Sequence, residues 1–254
     1  MRVRFAGGSS ITILLSAVLF LLTVSVSAAA QDIPRLADGK PDFSGIWDKP
    51  RVSNIENDSQ ACGAGSTGCE QEGAGELPYT ALGLERWEGY KNDWTGYCLP
   101  WGYTRALQTS YPVEILQTPN RMAILYESNN IFHVINMNEE QPEDLEPTWM
   151  GHSVATWEGD TLVIDTRGFN GKTYIDTGEH PQSPEMVVTE RIRYLDRDRL
   201  SYQVTWNDPV MYTEPFSNNR IFVRMAPGTE LFEYWCMENN KDLLEGRLPP
   251  LIEQ

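Results

Sequence analysis

The sequence predicts an all-β protein. A closed antiparallel up-and-down meander, a lipocalin-like β-barrel, is preferred, and a two-sheet β-sandwich is the alternative. Apolar and polar residues alternate with a period of two in the regular segments after residue 112. Short turn sequences such as Gly159-Asp160 join these segments in pairs, which is typical of β-hairpins. The predicted strands are numerous enough to close a barrel.

The predicted strands follow one another as a meander. The first strand covers residues 113–117, and no helical pattern interrupts the later ones. Four hairpins follow, with strands at residues 121–127 and 131–137, 153–158 and 161–167, 187–195 and 199–206, and 220–225 and 230–237. These strands define a predicted barrel domain of residues 113–254.

Residues 31–112 are predicted to be an irregular segment that packs on the barrel. Turn-forming residues dominate it, and a polar, glycine-rich loop covers residues 51–78. Its one predicted helix covers residues 80–92, where leucines and a tryptophan recur among charged residues. Thr80 stands in position to cap that helix.

Residues 1–30 have the three parts of a secretory signal peptide. Arg2 and Arg4 supply the basic start, residues 11–26 the apolar stretch, and residues 28–30 the small side chains of a cleavage site. The apolar stretch is short for a membrane span, and no cysteine stands at the cleavage site to carry a lipid. We therefore expect a periplasmic or secreted protein with no membrane span after signal removal.

The charge balance limits the partners. The chain carries 36 acidic and 20 basic side chains, for a formal net charge of −16. Nucleic-acid binding needs Lys and Arg to displace counterions, and anionic lipid surfaces attract basic segments, so neither partner is expected. The expected partner is a small-molecule substrate or ligand.

Export changes how the four cysteines are interpreted, because disulfides persist in oxidising compartments. Cys62 and Cys69 flank a flexible Gly/Ser/Thr loop suited to a local bridge, which leaves Cys98 and Cys236 to close a long loop. Two disulfides are predicted, although three pairings are possible. A zinc site or free thiols are the alternatives, and zinc is disfavoured because the sequence has no Cys-x-x-Cys and no histidine near a cysteine.

Several blocks resemble a family of secreted, largely uncharacterised bacterial proteins. The opening DGKPDFSGIW at residues 38–47 carries the resemblance, together with WMGHS at 149–153, WEGDTL at 157–162 and EYWC at 233–236. The resemblance covers most of the chain after residue 30. It implies an exported bacterial protein and carries no catalytic assignment.

The three histidines are the first candidates for chemistry. His133 lies mid-strand among apolar residues, so a structural role is the preferred interpretation. His152 stands at the start of a hairpin and His180 in the polar loop of residues 169–184, which are positions where sites are commonly built on a rigid barrel. A solvated loop histidine is the alternative for both.

The hairpin around Gly159-Asp160 predicts a partner for His152. A two-residue turn sets His152 opposite Arg167 and Val154 opposite Asp165, so Asp165 is diagonal to His152 on the same face. A carboxylate there would fix the tautomer of the ring. The alternative is that Asp165 pairs with Arg167 or with a neighbouring strand.

Glu190 is the odd member of an otherwise apolar face on the next hairpin. Burial would raise the pKa of its carboxyl toward the range that a general acid or base needs. The alternative is a buried salt bridge to an arginine. The apolar members of this face are Val188, Ile192, Tyr194, Leu200, Tyr202, Val204 and Trp206.

These residues together predict a cofactor-independent enzyme that uses acid–base catalysis in a barrel cavity. The expected reaction is of the lyase, isomerase or hydratase type, on a small cyclic or aromatic molecule or a sugar, and a hydrolase needs the same groups. The alternative is a non-catalytic lipocalin-like binding protein for a hydrophobic or aromatic ligand. A structural envelope protein, which predicts no cavity, is a third possibility. Nucleotide, phosphate and metalloprotease motifs are absent from the sequence, and no spacing indicates a metal, although residues from separate strands can converge on one. The candidate catalytic residues are His152, His180, Glu190, Asp165 and Tyr174, and the candidate substrate contacts are Asp176, Asn170, Trp157, Trp206, Tyr202 and Tyr212.

Overall fold

Nine strands form a closed β-barrel in the computed structural model, so the predicted all-β barrel is confirmed. The structure describes residues 1–3, 33–89, 94–238, 240–248 and 250. The chain divides into two units, Met1–Ala30 and Gln31–Gln254, and the barrel belongs to the second. Apart from residues 1–3, the predicted signal peptide lies outside the described residues.

The strands run from near the start of the second unit to residue 224. The strands are β1 (Gly45–Asp48), β2 (Glu70–Glu72), β3 (Val113–Gln117), β4 (Arg121–Tyr126), β5 (Ile131–Met137), β6 (His152–Glu158), β7 (Thr161–Arg167), β8 (Val187–Asp196), β9 (Arg199–Asn207) and β10 (Phe216–Arg224). In the described part of the chain, three short α-helices accompany them: α1 (Ala81–Glu88), α2 (Gly102–Gln108) and α3 (Lys241–Leu244). Around the barrel the order is β1-β3-β4-β5-β6-β7-β8-β9-β10, and β10 pairs with both β1 and β2.

One neighbouring pair of barrel strands, β5 with β6, is parallel, and the other eight pairs are antiparallel. A closed ring with an odd number of strands cannot alternate direction throughout, so at least one parallel pair is unavoidable. The connection over residues 138–151 is long enough for this, because parallel neighbours need a crossover of about a dozen residues. The predicted meander is therefore interrupted once.

The barrel contains one strand that the sequence did not predict and lacks one that it did. Residues 230–237 form no strand, and Phe232, Trp235 and Met237 are at least half exposed there. Strand β1 fills the corresponding place beside β10, with Trp47 opposite Arg224. The predicted irregular segment of residues 31–112 thus contributes a strand to the barrel.

Helix α1 confirms the predicted helix in part. The Thr80 hydroxyl accepts a hydrogen bond from the backbone N–H of Gly83 at 2.9 Å, so Thr80 is the N-cap, as predicted. The helix ends at Glu88, and the predicted continuation over residues 90–92 lies outside the described residues.

Helix α2 was not predicted, and all seven of its residues are buried. It packs on inward-facing side chains of the barrel. Two buried cations hold its carbonyl end: Arg220 donates to the Leu107 carbonyl at 2.9 Å, and Lys49 donates to the same carbonyl at 3.2 Å. Cations at this end also complement the helix dipole.

The barrel interior is occupied by core side chains and α2. An interior cavity lined by Lys49, Tyr126 and Tyr202 among others measures about 10 Å³, which is space for about one water molecule. A ligand of the size expected for a lipocalin-like cavity does not fit there.

Both predicted disulfides are present. Cys62 pairs with Cys69, and Cys98 pairs with Cys236 across 138 residues of sequence. Among the described helices, none has the length and apolar character to cross a lipid bilayer.

Candidate active site

The structure distributes the predicted site residues over four places, so His152, His180 and Glu190 do not meet in one site. Strand alternation puts His152 on the outer face of the barrel and Glu190 on the inner face, and His180 lies in a loop. The loop of residues 169–184 holds Asn170, Tyr174, Asp176 and His180, and Tyr212 contacts this loop. The barrel interior holds Glu190, Tyr202 and Trp206, and the outer face of β6 and β7 holds His152 and Asp165. Trp157 lies apart from these groups, with its ring stacked on that of Phe43.

A tight turn in the 169–184 loop brings Asp176 against His180. The Ile175 N–H donates to the His180 carbonyl at 2.9 Å, which closes the turn. Glu179 has a φ of 60°, and a Cβ on Gly178 would lie 3.0 Å from the His180 ring and 3.1 Å from the Asp176 carboxylate. Glycine at position 178 therefore lets the two side chains approach each other.

The Asp176 carboxylate holds one nitrogen of the His180 ring. Both carboxylate oxygens lie 2.8 Å from Nδ1, and both side chains are fully buried. The second oxygen also accepts the Ile55 N–H at 2.7 Å, which ties the pair to the 51–78 loop. An aspartate at Nδ1 fixes the proton there and leaves Nε2 as the nitrogen available for proton transfer.

Glu56 faces the other nitrogen of His180. Its Oε2 lies 3.7 Å from Nε2, and Nε2 has no hydrogen-bond partner among the described residues. The Glu56 side chain is 20% exposed, whereas the other two members are fully buried. Asp176, His180 and Glu56 thus form a chain of titratable groups that runs from the interior to solvent, called the proton-transfer chain below.

Aromatic rings enclose the proton-transfer chain. The Trp87 ring on α1 is stacked on the His180 ring, with centroids 5.9 Å apart and planes 6° apart. Tyr79 stacks on Trp87 at 5.3 Å, and Tyr212 donates to the carbonyl of Pro181 at 2.8 Å. Burial raises the pKa of the Tyr79 hydroxyl, and the negative charges of Glu56 and Asp176 raise it further.

Two cavities adjoin the same loop. One, of about 280 Å³, is lined by Tyr174 and Gln182 from the loop and by Arg86 from α1. The second, of about 440 Å³, shares Gln182 and Arg86 with the first and includes Asn170. Of the candidate residues, Tyr174 and Asn170 therefore border open space in the described part of the chain.

Glu190 lies in the barrel interior, where its partners are structural. The hydroxyls of Tyr103 on α2 and Tyr202 on β9 donate to its two carboxylate oxygens. Burial raises the pKa of Glu190 to about 7, while the Tyr202 hydrogen bond and the Arg220 charge act to lower it. The predicted perturbation is present, but the carboxyl is fully buried and anchors α2 to the barrel wall.

His133 is structural, as the sequence indicates. Its Nε2 contacts the Ser153 hydroxyl at 2.5 Å, and its ring lies 4.2 Å from that of Tyr103. Burial lowers its pKa to about 3, so the ring is neutral at ordinary pH.

His152 and Asp165 occupy the predicted positions without bonding to each other. The register is the predicted one, with His152 opposite Arg167 and Val154 opposite Asp165. Gln141 lies between them: it contacts His152 Nδ1 at 3.1 Å and donates to Asp165 Oδ1 at 3.1 Å. Asp165 pairs with Arg167 at 2.6 Å, so the alternative interpretation holds for this carboxylate.

The remaining predicted contacts have partners outside the loop. Tyr202 is engaged with Glu190, and Trp206 is stacked on Phe216 with centroids 5.5 Å apart. In the described part of the chain, one group of His, Cys and acidic side chains has metal-ligand spacing: Asp48, Cys62 and Cys69. Both of its sulfurs are joined in a disulfide, so they are not thiolate ligands.

Two residues beside His180, Glu56 and Trp87, were not selected as candidates from the sequence. Glu56 stands in a polar loop, where carboxylates are common, and the sequence places Trp87 on the apolar face of a short helix.

No protein-family model matches the sequence, and no curated protein matches it either. The resemblance to secreted bacterial proteins therefore stays a prediction.

Proposed function

We propose that the protein is a cofactor-independent acid–base enzyme and that Glu56 is its proton-transfer group, with His180 and Asp176 behind it as positioning residues. The reaction class is that of a lyase, isomerase or hydratase acting on a small molecule. One observation carries the proposal: His180 is held at Nδ1 by Asp176 and presents Nε2 to Glu56 at 3.7 Å, with no other partner for Nε2 among the described residues.

This arrangement supports proton transfer for a physical reason. Asp176 holds His180 so that Nε2 faces the Glu56 carboxylate, and a proton that Glu56 takes from a substrate can pass on to Nε2. A positive charge that forms on the ring during this transfer lies against the Asp176 carboxylate, so no unpaired charge is left buried. Glu56 is the member of the chain that meets solvent, so the reacting atom of a substrate is expected there.

The compartment is the second part of the proposal. Two disulfides fit an oxidising environment. Together with the predicted signal peptide, they support a protein that works in the periplasm or outside the cell. Small cyclic or aromatic molecules and sugars are the substrate classes to test first.

Exchange of substrate protons with solvent tests the proposal directly. The oxidised chain without residues 1–30 is incubated in D₂O with single compounds that carry a proton next to a carbonyl group, and deuterium uptake is measured by mass spectrometry. We expect uptake by at least one compound and its loss in Glu56→Gln, since general-base groups contribute about 10²- to 10⁴-fold.

Two further variants separate catalysis from folding. His180→Gln should keep part of the exchange and change its pH profile, because it removes the ring that accepts the proton from Glu56. His152→Gln should match the wild type, because His152 lies on the outer face. Equal exchange in the wild type and Glu56→Gln would refute the assignment, and no exchange with any compound would favour the non-catalytic binding protein.

A further inference from the structure

We infer that a groove beside α2 binds a small carboxylate that carries a planar ring. The groove is defined by Arg51, Ser53, Trp101, Arg105, Tyr111 and Thr177, and its volume is about 460 Å³. Ligand sites in proteins are typically about 300 to 1,000 Å³. The groove is therefore large enough for a single-ring molecule, unlike the cavity inside the barrel.

The charge of the groove is opposite to that of the protein. The described residues that line it include Arg51 and Arg105 and no aspartate or glutamate, although the chain has a net charge of −16. Arg51 is exposed, and no side-chain hydrogen bond or ion pair occupies its guanidinium in the described part of the chain. A guanidinium forms two parallel hydrogen bonds to a carboxylate, so Arg51 is the expected contact for the anion.

Aromatic side chains provide the apolar contacts that the planar ring of the ligand needs. Trp101 and Tyr111 line the groove, and Tyr111 is 38% exposed. Tyr234 packs against both from outside the groove, with ring centroids 6.4 Å from Trp101 and 5.6 Å from Tyr111. Aromatic rings held in this way offer a flat surface that costs little conformational entropy on binding.

Small polar groups complete the site. Thr177 donates to the Ser53 carbonyl at 2.7 Å, which joins the two loops that form one side of the groove. Gln108 lies in the lining and accepts a hydrogen bond from Arg220 at 2.6 Å, so its side chain is held in place. A preformed site of this kind loses less free energy to ordering when a ligand binds.

The groove and the proton-transfer chain are built on the same two segments but are separate sites. Arg51 and Ser53 precede Glu56 in one loop, and Thr177 follows Asp176 in the other. The inference concerns binding alone, so it stands independently of catalysis. Glu56→Gln is accordingly expected to bind the ligand as the wild type does.

Isothermal titration calorimetry with three probes tests the inference. Benzoate has both the ring and the charge, benzamide has the ring without the charge, and acetate has the charge without the ring. We expect benzoate to bind, and benzamide and acetate to bind at least about 10-fold more weakly, as the loss of a charge-assisted hydrogen bond or of ring packing requires. Benzamide or acetate binding as tightly as benzoate would overturn the inference, and so would no benzoate binding at up to about 10 mM, beyond the weak end of the affinity scale.

A pair of arginine variants locates the site. Arg51→Gln should weaken benzoate binding at least about 10-fold. Arg193→Gln removes the same charge from another exposed position on β8 and should leave binding unchanged. Circular dichroism and thermal unfolding check that both variants are folded. Unchanged binding in a folded Arg51→Gln protein would overturn the assignment of the groove.

Discussion

Glu190 makes the stability of the barrel depend on pH, and one substitution isolates its contribution. Burial raises the pKa of this carboxyl from 4.5 to about 7 in the folded protein. A carboxyl with a raised pKa in the folded state stabilises the fold below its unfolded pKa, and this contribution is lost as the pH rises through the folded pKa. The free energy of unfolding due to Glu190 therefore falls between pH 4.5 and about pH 7.

The size of the effect follows from the same values. A change from 4.5 to about 7 corresponds to about 3 kcal/mol, because one pKa unit is about 1.4 kcal/mol. In a domain of this length that is about 6 to 12 °C in melting temperature. Glu190→Gln keeps the shape of the side chain and removes the titration. The stability of the variant relative to the wild type should rise by about 3 kcal/mol from pH 4 to pH 8.

Urea unfolding of both proteins at several pH values measures this difference directly. Glu88→Gln is the matched control, because Glu88 is exposed on α1 and should leave the pH dependence unchanged. The comparison with the wild type cancels every other titrating group, including His133, whose lowered pKa makes the fold lose stability as the pH falls below 6.5. If the stabilities of Glu190→Gln and the wild type differ by a constant amount across this range, burial does not raise the pKa of the Glu190 carboxyl and this explanation of the pH dependence is wrong.

Three further variants test the supports of the barrel. Arg220→Met leaves Lys49 alone at the carbonyl end of α2 and removes the positive charge near the buried Glu190 carboxyl, so it should destabilise the protein by about 3 to 5 kcal/mol in urea unfolding. Replacing Cys98 and Cys236 by serine should cost about 5 kcal/mol, because the bridge spans 138 residues, whereas the same change at Cys62 and Cys69, which span seven, should cost about 2 kcal/mol. Equal losses for the two disulfides would contradict the loop-closure explanation.

The sequence predicted the parts of the fold that depend on local pattern. The register of the β6–β7 hairpin follows from a two-residue turn, and the inward face of β8 and β9 follows from alternation. Helix α2 was missed because a helix buried on all sides has no amphipathic period to detect. Strand β1 was missed because it is four residues long and its partners, β3 and β10, lie far away in sequence.

The sequence predicted several residues of the site but not how they are arranged. Asp176 and His180 were both named, but their contact depends on the backbone of a tight turn with a positive φ at Glu179, which no periodicity reveals. Glu190 was identified by its polarity on an apolar face, whereas its hydrogen-bond partners come from α2 and β9, and the charge that acts on it comes from Arg220 on β10. Glu56 reaches the proton-transfer chain from a distant loop, so only the tertiary structure shows that it lies beside His180.

Closure of the barrel between β1 and β10 also limits how the chain folds. Arg224 donates to the Ser44 carbonyl across 180 residues of sequence, and its guanidinium lies 4.1 Å from the Trp47 ring. The seam therefore cannot form until nearly the whole chain has been synthesised, and until then the edge of β1 that β10 will cover is unpaired. This one pairing joins the two ends of the barrel sequence, so its closure should be a slow, late step in folding, and the chain should be most prone to aggregation before the seam closes.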